Sequence, residues 1–191
     1  MGLSIHYNGS FNKKASLSNM IEEVKDVAKI YGWKYHIYEE TFNKQTTAEK
    51  QQNIDLYGIS FTPPNSETIS LTFLSNGKLC CGAVLQLLGS DIKSNPYLYS
   101  LSVKTQFAGS VVHKIIIQLL KYLSNKYFKE FELTDEGQYW ETGDEKLLNS
   151  IFKTYDDLID SVQFSIESVP IKKGETFEEY FKRILKQKNK K

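Results

Sequence analysis

The sequence predicts an α+β protein, a mainly antiparallel β-sheet with helices packed mostly on one face. Three observations predict it. Two long stretches, around Leu17–Tyr31 and Val111–Phe128, repeat apolar residues at spacings of three and four, the signature of half-buried helices. Several short runs alternate apolar and polar residues, and two of them flank Asn76-Gly77, the dipeptide that best suits the tight turn of an antiparallel hairpin. The order is β-α-β, several consecutive strands, then α-β-α and a terminal helix, which favours segregated strands and helices over regular βαβ alternation.

Leu3–Tyr7 alternates and ends at the turn signal Asn8-Gly9. The first helix follows, with Leu17, Met20, Ile21, Val24, Val27, Ala28 and Tyr31 on one stripe. Asn19 and Glu22 resemble a capping pair, and Gly32 is a natural stop. Trp33–Glu39 reads as a strand, and 43–53 as a polar linker. Leu56–Phe61 reads as a strand with Tyr57, Ile59 and Phe61 on one face, broken by Pro63-Pro64. In the hairpin, a two-residue loop pairs Ser75 with Lys78, Leu74 with Leu79 and Phe73 with Cys80. This puts Cys80 on the core face beside Phe73 and reads it as a packing residue before a nucleophile.

After Pro96, Tyr97, Tyr99, Leu101 and Val103 form a further alternating strand. The second strong helix buries Val112, Ile115, Ile116, Leu119, Leu120, Leu123 and Tyr127. Glu130–Thr134 is a strand with Phe131 and Leu133 inward. Thr142 and Glu145 form a Thr-x-x-Glu capping box that opens a third helix through Tyr155. Val162–Val169 reads as a last strand, and Thr176 with Glu179 as a second capping box. At 191 residues the chain is expected to form one α+β domain over 1–185, with a basic disordered tail at 186–191.

Bulk properties narrow the function classes. Hydrophobic residues make up 40% and charged residues 25%, which argues for a packed fold. The net charge of +1 gives no electrostatic case for nucleic acid or an anionic membrane. Charge is nevertheless uneven. Ten acidic residues fall between Glu130 and Asp160 against Lys146 and Lys153, while four lysines end the chain. No apolar run is long enough to span a bilayer, and the first residues lack a secretory leader pattern, so a cytoplasmic protein is expected. Cys80 and Cys81 are adjacent, a poor geometry for a structural disulfide.

Motifs for metals, nucleotides and common nucleophiles are absent, and no metal or cofactor is predicted. Attention falls instead on two stretches, Lys104–Ser110 and Asp135–Glu141. The first leads into a helix carrying His113 near its start, where the helix dipole favours a neutral imidazole. Its bland reading is a flank histidine bonded to a strand, with Ser110 capping the helix. The second stretch joins two carboxylates, a glycine and two aromatics, and admits three readings: structural turn, recognition loop or catalytic loop.

These stretches also carry a resemblance. The segments at 2–7, 57–64, 104–109 with His113 and Leu119-Leu120, and 135–144 resemble a family of bacterial proteins of no established activity, over roughly the first 150 residues. The resemblance implies that Gln106, His113, Asp135, Glu136, Trp140 and Glu141 occupy its recurring motif positions. No such motif lies beyond about residue 155. The leading expectation is a binding module for a protein partner or small ligand. Gln106, Tyr139, Trp140 and Glu141 would make the contacts, because aromatics provide area while carboxylates select the partner. The alternative is a hydrolase-like enzyme with His113 as general base, Asp135 or Glu136 as its partner carboxylate and Gln106 as a polarising donor.

Overall fold

The computed structural model describes residues 2–42, 56–88, 98–176, 178–180 and 182–183. The expected 43–53 linker and 186–191 tail lie outside them. The chain divides into two compact units, 1–152 and 153–191, where the sequence predicts one domain to 185.

The first unit is α+β. It contains two three-stranded antiparallel sheets instead of the single sheet expected. One has the order β5-β1-β6, with β1 Ser4–Phe11, β5 Leu101–Lys104 and β6 Phe128–Asp135. The other has the order β2-β3-β4, with β2 Lys34–Ile37, β3 Tyr57–Thr62 and β4 Ile69–Phe73. The segment 77–79 joins the two. The Leu79 N–H donates to the Gly9 carbonyl at 2.9 Å, and Leu79 also pairs with Phe73. Tyr7 reinforces the joint: its hydroxyl donates to the Ser70 carbonyl at 3.1 Å and accepts from the Ser70 N–H at 3.0 Å, occupying backbone groups on the edge of β4.

Alternation along β1 and β6 divides their faces. Ile5 and Tyr7 are buried, with Phe131 and Leu133 packed on the same core, while Asn8, Glu130 and Glu132 are exposed. Helix α1, Leu17–Ile30, adds Leu17, Met20, Ile21, Val24 and Ala28 to that core. Fully burying one such aliphatic side chain stabilises by about 1.5–3 kcal/mol. Ser16, not Asn19, caps this helix, since its side chain accepts the Asn19 N–H. Tyr31 lies past the last helical turn and is half-exposed, outside the predicted stripe.

The hairpin differs from prediction by one register step. Phe73 sits opposite Leu79, and Cys80 bonds Thr72 through both its N–H and its carbonyl. A one-residue slip changes the face of every side chain. Cys80 is therefore fully buried but belongs to a second cluster with Leu74, Leu85 and Leu98. Burial pushes its thiol up to about 12, so it is inert packing, as expected. Gly82–Leu88 forms α2, an element the sequence reading did not assign.

Helix α3, Gly109–Tyr127, follows a 3-10 turn at Gln106–Ala108. Ser110 is thus inside the helix, bonded to Asn149 at 2.6 Å, and does not cap it. After the short α4, Tyr139–Thr142, α5 runs over Glu145–Ser168. Asp144 caps α5 by accepting the N–H groups of Lys146 and Leu147, in place of the predicted Thr142–Glu145 box. The predicted strand at Val162–Val169 is helical up to Ser168, because no glycine or proline interrupts the chain before Pro170. In the second unit, Thr176 and Glu179 do form a reciprocal capping box, at 3.0 Å and 3.3 Å.

Candidate functional site

Helix α3 and the end of β6 bring His113 and Asp135 together from 22 positions apart in sequence, with Nε2 2.9 Å from Oδ1. The approach is close but oblique: the ring N–H does not point along the line to the carboxylate. On its other side, Nδ1 lies 2.6 Å from the Thr105 hydroxyl. The edge of Phe152 closes the ring at 5.4 Å between centroids. His113 has no exposed surface, and Thr105 has none either.

The roles of these atoms follow from what each can donate. A carboxylate only accepts, so the neutral ring keeps its proton on Nε2 and Nδ1 accepts from the Thr105 hydroxyl. A second ring proton would make Nδ1 a donor and turn the Thr105 hydroxyl toward the Leu3 carbonyl, 3.4 Å away.

Asp135 is also the organiser of the loop. Its Oδ1 accepts the Gly137 N–H at 2.7 Å, and its Oδ2 accepts those of Tyr139 and Trp140 at 2.8 Å and 3.1 Å. Burial pushes this carboxyl up. His113 and the N–H groups of Trp140 and Gly137 outweigh that and hold it below its ordinary value. Its backbone carbonyl accepts from Gln138, which adopts the left-handed conformation at φ 58°. Gly137 is needed for space. A Cβ there would lie 2.8 Å from Leu148 Cδ1 and 2.9 Å from His113 Nε2. The glycine therefore lets the loop close over the imidazole.

The other predicted residues separate. Glu136 faces the opposite way from Asp135, as neighbours in a strand do. Its Oε2 accepts the Ser4 N–H at 2.7 Å, and its Oε1 is 3.5 Å from His6 Nε2. It is no partner of His113. Gln106 is buried, with Oε1 accepting the Leu3 N–H at 3.2 Å. Tyr139 and Trp140 are half-buried against the core. The Tyr139 hydroxyl accepts from Gln118, and the Trp140 ring lies 6.0 Å from Phe131 and beneath the Lys121 ammonium. Glu141 is exposed, its Oε1 reaching the Asp135 N–H at 3.4 Å.

Two residues escaped the sequence reading. Thr105 supplies the hydrogen bond to His113 Nδ1, and a buried hydroxyl leaves no periodic signal. Phe107, between buried Gln106 and half-buried Ala108, is 63% exposed, as is Val111 four residues on. An apolar residue in a short motif carries no mark of whether it faces in or out.

The arrangement can lock a loop and fix an imidazole. His113 is fully buried, with Thr105 on Nδ1, Asp135 beside Nε2 and Phe152 against the ring. Among the described residues, no group of three or more His, Cys, Asp or Glu is placed to hold a metal ion, and no helix is long and apolar enough to cross a membrane. Comparison with known proteins finds no matching family model, no similar curated protein and no similar solved structure.

Proposed function

We propose that the first unit is a binding module for a protein partner, using the 3-10 turn, the N-terminal end of α3 and the adjoining Asp135–Glu141 loop. The observation that carries this reading is the pair Phe107 and Val111, each 63% exposed on a backbone anchored from within. Gln106 ties the turn to Leu3, and Thr105 and His113 tie it to Asp135. Ordering cost is low when apolar anchors are already held in place, which favours binding over a flexible loop of equal composition. In this role, Gln106, His113 and Asp135 position the surface, while Phe107 and Val111 touch the partner. Tyr139 and Trp140, half-buried beside Gln118 and Lys121 farther along α3, hold the adjoining loop against the core.

A photo-crosslinking residue placed at Phe107 tests the reading in cells. A single discrete adduct is expected, absent when the same residue is placed at exposed Lys173, and reduced by Val111→Ser. If position 107 gives no adduct beyond the Lys173 control, the proposal fails. It also fails if Phe107→Ser lowers the melting temperature as a core substitution would.

A further inference from the structure

A separate surface lies on β6. This strand is the edge of its sheet, paired only with β1 among the described residues. The direction of its free groups follows from the ladder. Glu136 N–H donates to the Ser4 carbonyl, whereas Asp135 N–H meets the Glu141 side chain. Antiparallel alternation then turns the N–H and C=O of Leu133 and Phe131 away from β1. Opposite Phe131, the Gly9 carbonyl also points away from β6, accepting from Leu79. An unpaired strand edge of this kind is a template for another extended chain.

Side chains on the solvent face state what that chain would carry. Glu130 and Glu132 stand there, bordering a cleft of about 410 Å³ that also includes Asn8, Ser10 and Tyr99. Glu132 accepts from Asn8 at 3.2 Å, and among the described residues Glu130 is held by Lys129 alone at 3.2 Å, an exposed pair of little strength. Lys78 occupies the cleft wall with its ammonium 5.1 Å from the Tyr99 ring. A second copy of this chain is a poor occupant. Antiparallel pairing of β6 with itself about Phe131 would set Glu130 opposite Glu132 of the other copy, and like charges directly opposite destabilise.

We propose that the β6 edge accepts, by strand addition, an extended peptide segment with basic side chains at alternating positions. Its backbone pairs with Phe131 and Leu133, and its cationic side chains lie beside Glu130 and Glu132 at the mouth of the cleft. Main-chain bonds supply affinity, and the two carboxylates select the charge. The addition ends at Asp135, where Glu141 already occupies the edge.

The test uses the full chain and an acetylated, amidated heptapeptide of alternating lysine and valine. Binding is expected to slow hydrogen exchange at the Phe131 and Leu133 amides. The double variant Glu130→Lys, Glu132→Lys is expected to weaken binding roughly a hundredfold at low salt, and less as salt rises. A peptide N-methylated on the pairing side should lose binding at unchanged charge. The proposal is overturned if the N-methylated peptide binds equally well, since attraction would then be charge alone. It is likewise overturned if the peptide leaves both amides unprotected, or if the double variant binds undiminished. Dimerisation of the unaltered chain through β6 would also overturn it, in favour of a second copy as occupant. Phe107→Ser leaves this binding intact, which separates it from the crosslinking surface.

Discussion

The Asp135 loop and the Glu175–Arg183 segment are both organised by carboxylates accepting backbone N–H groups, but in different surroundings. In the first unit, Asp135 is 4% exposed and serves three N–H groups and an imidazole at once. In the second, Glu175 grips Arg183 through two contacts of 2.7 Å and also accepts the Lys172 N–H, a part-buried pair in which Arg183 keeps 21% of its side chain exposed and Glu175 11%. Water reaches the second pair in part and can replace some of what a lost partner supplied. It cannot reach the first, so a buried group left unpaired there costs its whole desolvation. Carboxylates accepting backbone N–H groups therefore make a sealed frame in one place and a partly open clasp in the other.

The largest break in this comparison is Asp135→Ala. It strands His113 and three N–H groups and should cost about 3–5 kcal/mol by chemical denaturation. A loss under about 1 kcal/mol would show that the buried frame is no stronger than the partly open one.

Gly137→Ala comes next. The added methyl meets Leu148 and His113, and overpacking of this kind costs about 1–3 kcal/mol. If the variant is as stable as the parent, the loop has slack that these distances deny.

Acid titration sharpens the contrast with a smaller effect. The Asp135 carboxyl is held below its ordinary value, so its stabilisation is complete above the unfolded value of about 4. It is lost as pH falls through the lower folded value. Melting temperature should therefore fall with pH below about 4, with a shallower slope in Asp135→Asn. Glu175, which Arg183 lowers to about 2, follows the same sign. Glu175→Gln removes one side of a pair that water partly reaches through Arg183, 21% exposed, and is expected to cost less at neutral pH than Asp135→Ala. A shallower acid loss in Glu175→Gln than in Asp135→Asn would reverse the comparison.

Much of this was legible in the residues. Leu17, Met20, Ile21, Val24 and Ala28 of the first stripe, and Tyr57, Ile59 and Phe61, are buried because periodicity records a single apolar face. Pairing of His113 with Asp135 was readable only as a possibility, and Glu136 was separated from it by strand alternation. Errors came where two local signals compete. Val162, Phe164 and Ile166 alternate like a strand, yet they continue a helix that nothing interrupts. The hairpin register slipped by one residue because the arm also pairs with β1, a contact no hairpin rule contains.

The sequence by itself determined the α+β class, the main helices and the two stretches from which the candidate site is built. These are local properties, set by side-chain period, turn residues and charge. Tertiary structure decided that Thr105, His113 and Asp135 form one buried frame, that Phe107 and Val111 face out, and that β6 is an edge. Those outcomes depend on which segments meet after the chain closes. Burial then gives one carboxylate a structural task and leaves its neighbour, Glu136, on the solvent side.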